Sequence, residues 1–209
     1  MRNKIMFNKF FQNTRKPIGY GGSLMVNMMN IGHKSLSKWG HSHISPGLDA
    51  NVLDIGCGGG ANLLLFLKRC PKGKVCGIDY SPVSVKHSQK KNRRYIEEGR
   101  CEVKLGDVSK LPYGDNIFDF ATAFETIYFW PNLEEAFKQV YRVLKSGGYF
   151  MICNEISDSE NDQWSQRING MHVYSADTLY PLLQRIGFVN LKKDIIKNGK
   201  GMCIIAQKS

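Results

Sequence analysis

Val52-Leu53-Asp54-Ile55 run straight into Gly56-Cys57-Gly58-Gly59-Gly60, where four of five positions are glycine. An apolar strand that stops in glycines and resumes as a helix over residues 63–70 leaves few folds open. Glycine lets the main chain turn sharply and lets a ligand approach it closely. The N–H groups at the start of the next helix then face whatever is bound. Pro71 and Gly73 close that helix.

The alternation continues. Residues 74–79, 101–105, 117–124 and 149–154 read as buried strands. Pro82 opens a long basic helix over residues 82–98. Residues 133–144 place Leu133, Ala136, Phe137, Val140, Tyr141 and Leu144 at helical spacing, with Gly147-Gly148 as the stop. Ser175 caps a helix to about residue 186. Strands at 188–196 and 202–206 flank Lys197-Asn198-Gly199-Lys200, an Asn-Gly hairpin signal. Strand–helix alternation implies parallel strands with helices on both faces. The expected fold is therefore an α/β, Rossmann-like, seven-stranded mostly parallel sheet with a C-terminal antiparallel hairpin. An N-terminal helical arm, residues 1–47, precedes the domain at 48–209. In the arm, Leu24, Met25, Met28, Met29, Ile31, Leu36 and Trp39 form an apolar stripe interrupted by Gly32, suited to core packing or to a mobile lid.

The chain carries 29 Lys and Arg against 18 Asp and Glu, a net +11. Seven of the basic residues (Arg2, Lys4, Lys9, Arg15, Lys16, Lys34, Lys38) lie in residues 1–48, which hold no acid. Such a balance attracts nucleic acid, anionic lipid or acidic substrates, or simply solvates a surface. No apolar run approaches the roughly 18 residues of a membrane span. Met1 to Lys16 lacks the apolar centre of a signal peptide. The six cysteines form no C-x-x-C pair and read as reduced thiols packed as small hydrophobes, which places the chain in the cytoplasm.

A glycine-rich turn alone is weak, and with Ala61 it also fits the dinucleotide pattern G-x-G-x-x-A. Three acids add to it: Asp54, two residues before Gly56; Asp79 in Gly77-Ile78-Asp79-Tyr80; and Asp107 in Leu105-Gly106-Asp107-Val108. Each sits on or after a strand near its carboxyl end, where open α/β sheets bind ligands. With Phe118-Asp119 and Arg142-Val143-Leu144-Lys145-Ser146-Gly147-Gly148, residues 48–155 resemble the class I S-adenosylmethionine (SAM)-dependent methyltransferases, in the small-molecule subgroup of ubiquinone and menaquinone biosynthesis.

The resemblance implies roles. Gly56, Cys57 and Gly58 would pass beneath the methionine part of SAM, with Asp54 ordering that loop. Asp79 would accept from both ribose hydroxyls. Tyr80 would flank the adenine, Asp107 would accept from its amino group, and the Val108 N–H would meet a ring nitrogen. Phe124 would complete the cofactor wall. The following segment, Phe124 to Pro131, is where family members place the acceptor; it lacks an N-P-P-Y-type sequence and is aromatic, so Tyr128 and Trp130 become acceptor contacts.

An activated methyl needs mainly alignment. A base matters only for an acceptor that must lose a proton, and Glu125, His33 and His172 are the candidates. Glu125 with Asn154 and Glu155 has the outline of a metal-dependent catechol site, but no third spaced acid supports it, so no metal is expected. The reading is a SAM-dependent methyltransferase acting on a small-molecule acceptor. The rivals are an RNA methyltransferase tracking phosphates along Lys86, Lys90, Lys91, Arg93 and Arg94, a nicotinamide oxidoreductase, and a noncatalytic SAM-binding module.

Overall fold

The computed structural model describes residues 13–155, 165–196 and 201–209. The expected Asn198-Gly199 turn and the start of the arm lie outside these residues. After helical residues 13–15 come two helices, α1 (Gly19–Gly32) and α2 (Lys34–Ser42). There follow β1 (Val52–Ile55), α3 (Ala61–Arg69), β2 (Val75–Asp79), α4 (Pro82–Lys91), α5 (Arg93–Glu97) and β3 (Cys101–Leu105). Then come β4 (Phe118–Phe124), α6 (Leu133–Val143), β5 (Leu144–Asn154), α7 (Ala176–Ile186), β6 (Phe188–Ile195) and β7 (Met202–Lys208).

The seven strands form one sheet in the order β3-β2-β1-β4-β5-β7-β6. The first five are parallel, and β7 runs antiparallel to both β5 and β6. From β1 the chain winds outward through β2 and β3, then returns to lay β4 on the other side of β1. That reversal opens a crevice at the carboxyl ends of β1 and β4, the usual ligand position in such sheets. Because successive strand residues face opposite sides, β1 feeds two cores. Leu53 and Ile55 join Phe137, Val140 and Leu179 of α6 and α7 on one face. Val52 joins Leu63 and Phe66 of α3 on the other, where Trp39 of α2 also packs.

Local chemistry sets the helix ends. Ser81, Asn132 and Ser175 cap α4, α6 and α7 by accepting from the N–H of Ser84, Glu135 and Thr178. The helix expected over residues 82–98 is broken at Asn92. Its buried side chain donates to Ser88 O at 3.0 Å and to Gly60 O at 3.1 Å, holding the glycine turn, while its backbone (φ −104°, ψ 15°) departs from helical values. The strand expected at 149–154 begins earlier, at Leu144, which pairs directly with Phe118. There Gly148 is required: a Cβ would lie 2.9 Å from Lys145 O and 3.1 Å from Asp119 O. Arg142 donates to Tyr113 O at 2.7 Å and Leu111 O at 3.0 Å, and Lys145 to Asp119 at 2.8 Å. The Arg142 to Gly148 run is thus a clamp between α6, β4 and β5. Its work is structural.

Candidate active site

Asp54 has no solvent around it. It is 1% exposed, in register with Thr122 of β4, whose hydroxyl donates to its Oδ1 at 2.8 Å. Burial pushes its carboxyl up to about 7, with the Thr122 hydrogen bond opposing and Asp79 adding to the rise. Beyond it the chain turns at Gly56 (φ +76°), Gly58 (φ +52°) and Gly60 (φ +75°). At Gly56 a Cβ would collide with the Thr126 side chain. At Gly58 it would meet nothing within 4 Å, because this turn borders open cavity. Cys57 faces inward: its buried thiol, pushed well up by desolvation, lies 3.9 Å from Ser88 Oγ.

Asp79 at the end of β2 reads the same turn. Its Oδ2 accepts from Gly58 N at 2.9 Å and its Oδ1 from Ser81 N at 2.8 Å. The Ser84 side chain also bonds to it, so of about four lone-pair directions only part stays available for a ligand. Desolvation raises this carboxyl as well. Asp107 is exposed and caps the short 3-10 turn Val108–Lys110 by accepting from Ser109 N. It borders a cavity of about 250 Å³ with Val108, Tyr80, Asp79 and Gly56.

That cavity shares Gly56, Asp79, Tyr80 and Thr126 with a larger one of about 1330 Å³. The larger one extends past Gly58 and Phe124 to Glu125, Tyr128 and Met171, under helices α1 and α2. The structure thus gathers Gly56, Cys57, Gly58, Asp79, Tyr80, Phe124, Glu125, Tyr128 and His33 around one space, with Asp107 and Val108 on the adjoining smaller cavity. Three more expected residues are outside the large cavity. Asp54, buried in β1, lines neither cavity. His172 is exposed and outside both cavity walls. Trp130, expected to touch the acceptor, is 6% exposed in the core. Its ring stacks on Phe150 at 6.3 Å and meets Phe137 edge-on, while Nε1 donates to Thr126 Oγ1 at 3.2 Å. The 3-10 turn Ile127–Phe129 aims Tyr128 at the cavity's polar corner and tucks Trp130 under the sheet, leaving it only on the small cavity's wall.

Glu125 closes β4 in a left-handed conformation, φ +57°, which non-glycine residues seldom adopt. Its Oε1 accepts from Tyr128 OH at 3.1 Å and from the Glu155 backbone N–H. Burial pushes its carboxyl up to about 8; the Glu155 N–H opposes this and the Glu155 charge adds to it. His33, at the junction of α1 and α2, places Nδ1 3.6 Å from Oε2 of both Glu125 and Glu155. Desolvation lowers the His33 pKa, against the pull of Glu155. At neutral pH the glutamate is therefore mainly a proton donor and the histidine a neutral acceptor. His33 is also the third group missing from the sequence spacing: its ring nitrogen and the two carboxylates lie within 4.8 Å of one another and could hold a cation.

Several contributors left no local motif. Val26 and Asn30 of α1 cover Gly59, where a Cβ would lie 2.8 Å from Val26 Cγ1. Ser37 of α2 donates to Asn62 at the start of α3. Ser81 donates to Pro17 O at 2.8 Å, and Tyr80 to Arg15 O, so the segment before α1 is tied across the end of β2. Only the Met25 and Met29 stripe hinted at this cover.

Residues 53–152 match the model of the methyltransferase domain family. These residues are a methyltransferase domain. The chain is 31% identical over 127 residues to a sterol 4-C-methyltransferase of Caenorhabditis elegans, covering 59% of this chain and 37% of that protein. It is 30% identical over 138 residues to the demethylmenaquinone methyltransferase of Lactiplantibacillus plantarum, covering 65% of this chain and 58% of the relative. The matched stretch thus spans less than two thirds of either relative. A SAM-dependent methyltransferase from Aquifex aeolicus superposes with a TM-score of 0.73 over 90% of this chain and 98% of its own, at 19% identity, which shows the shared fold.

The methyltransferase domain suits its cofactor on this chain's own geometry. Gly58 borders open space that a side chain would fill, and the Asp79 carboxylate keeps acceptor capacity facing the cavity. When bound, SAM supplies an activated methyl group on a sulfonium sulfur.

Proposed function

We propose that the chain methylates an apolar small molecule, with residues 48–209 as the catalytic domain and residues 1–47 as its cover. The observation carrying this is the single cavity that runs from Gly58 and Asp79 to Tyr128 and Met171, walled on the acceptor side by Phe124, Phe129, Met28, Met29, Ile168 and Met171. Phe124, Tyr128 and the methionines exclude water and hold a flat or flexible acceptor by shape, which supplies alignment. Asp79 and the Gly56–Gly58 turn hold the ribose and methionine ends of the cofactor; Asp107 and Val108 take the adenine. His33 accepts a proton from the acceptor when one must leave, and Glu125 donates a hydrogen bond beside it. The sterol and quinone acceptors named for the relatives are of this chemical kind.

The six cysteines are free and buried, which suits a reducing compartment, and we place the protein in the cytoplasm. Among the described residues, no helix is long and apolar enough to cross a membrane.

The test has two stages. S-adenosylhomocysteine is expected to raise the melting temperature while NAD(H) and NADP(H) leave it unchanged. Labelled SAM incubated with fractionated metabolites is then expected to mark an apolar fraction and not RNA. Label confined to RNA, or stabilisation by a nicotinamide, would overturn the reading.

A further inference from the structure

Helix α1 contains no charged side chain and is apolar on two opposite faces. Gly22, Met25 and Val26 face the protein. On the other side, Tyr20, Leu24, Met28 and Ile31 are 99%, 55%, 51% and 77% exposed. At positions i, i+4, i+8 and i+11 these four fall within an arc of about 80°. A helix apolar all round is normally enclosed, whereas a solvated one is polar outside. One exposed aliphatic residue needs no explanation; four in a row call for a partner.

The surroundings indicate its charge. From residue 13 to 48 there is no acid, and Arg15, Lys16, Lys34 and Lys38 bracket the stripe. Helix α4, packed beside α1, adds exposed Lys86, Lys90 and Lys91. Lys34, Lys38, Lys68 and Lys91 border the large cavity. A second copy laid on this face would oppose one acid-free arm with another. RNA would use the lysines and leave the aliphatic row unexplained.

We propose that α1 is a docking surface for an anionic lipid bilayer. Tyr20, Leu24, Met28 and Ile31 enter the boundary between headgroups and acyl chains, and the flanking lysines face the anionic headgroups. An interfacial helix needs this pairing of an apolar row with cationic flanks, and an aromatic residue at headgroup depth strengthens it. Met28 and Ile31 also line the cavity, so docking sets its mouth against the membrane. An apolar acceptor dissolved in the bilayer then enters without crossing water. That consequence rests on the proposed function; the docking itself does not.

The experiment is co-sedimentation of the full chain with vesicles of phosphatidylcholine containing about one third phosphatidylglycerol. Tyr20 and Leu24 lie outside both cavity walls, so the variant is Tyr20→Ser with Leu24→Ser. Partition is expected to fall roughly tenfold in the variant, and to weaken with pure phosphatidylcholine and with added salt. The thermal shift with S-adenosylhomocysteine is expected to be unchanged, which separates loss of docking from misfolding or from failure of the cofactor assignment. Equal partition of variant and wild type would overturn the proposal, as would absence of partition in both. It would also fall if the substitutions instead converted a dimer to a monomer without lipid, or if only RNA bound.

Discussion

Nδ1 of His33, on the arm, stands 3.6 Å from Oε2 of Glu125, at the end of the fourth strand. The pair spans the cavity from cover to sheet, so the arm brings its own histidine to the one left-handed non-glycine residue of the crevice. Each member is pushed toward its neutral form by burial: His33 downward and Glu125 upward to about 8. At neutral pH the corner is therefore a pair of neutral polar groups more than an ion pair, and His33 Nδ1 has no hydrogen-bond partner among the described residues.

Glu125 makes stability fall as pH rises. Its ordinary pKa is 4.5 and its folded value about 8, so the unfolded chain releases the proton first. Between those values the folded state binds more protons, and each step upward in pH favours unfolding. Asp54, raised from 3.8 to about 7, acts with the same sign. The melting temperature is expected to drop between about pH 5 and 8, and Glu125→Gln to flatten that drop. Identical slopes for variant and wild type in thermal melts would show an ordinary carboxyl.

Asp79→Ala removes the acceptor for two ribose hydroxyls and also frees the N–H groups of Gly58 and Ser81. Affinity for S-adenosylhomocysteine is expected to fall by about 2–4 kcal/mol, a factor of roughly 30 to 1,000. Calorimetry on the folded variant checks this. An unchanged dissociation constant would remove Asp79 from the ribose.

Two arm glycines should respond in opposite directions. A Cβ on Gly40 would lie 2.7 Å from Cys153 Sγ and 2.8 Å from Phe124 Cε1, so Gly40→Ala is expected to cost about 1–3 kcal/mol. Gly32 is exposed with nothing within 4 Å, and Gly32→Ala is expected to be neutral or stabilising by about 0.4–1 kcal/mol. Urea titrations compare them. Equal effects would mean that α2 is not seated on β5.

Truncation should divide the arm in the same way. Deleting residues 1–32 removes the cover of Gly59 and is expected to leave a folded domain with weakened cofactor binding. Deleting residues 1–43 also removes Leu36 and His41, which is stacked between Phe66 and Phe124, and takes away the His41 carbonyl that Arg69 holds at 2.9 Å. That protein is expected to aggregate. Gel filtration of both decides, and a soluble shorter form would show that α2 is as separable as α1.

The sheet was largely legible because its signals are local. Short apolar runs, glycine stops, Pro82 at a helix start and the cap at Ser175 each depend on a few neighbours along the chain. The break at Asn92 was not legible, since it follows from a hydrogen bond to Gly60, 32 residues away. Asp79 and Asp107 border the cavities because the parallel strands bring their carboxyl ends to one edge. The burial of Trp130 was not legible because an aromatic ring after a strand reads alike whether the next turn aims it at a cavity or under the sheet.

The amino-acid order by itself determined the glycine turn, the alternation of strands and helices, and Asp54, Asp79 and Asp107 near three strand ends. Backbone sterics and side-chain spacing act over one or two turns of chain, so those features need no distant partner. Only the tertiary structure decided that α1 covers Gly59, that Thr126 fills the space beside Gly56, and that His33 and Glu155 meet at Glu125. Those contacts join elements separated by tens of residues. Packing against the sheet selects among their possible arrangements, and no spacing along the chain encodes it.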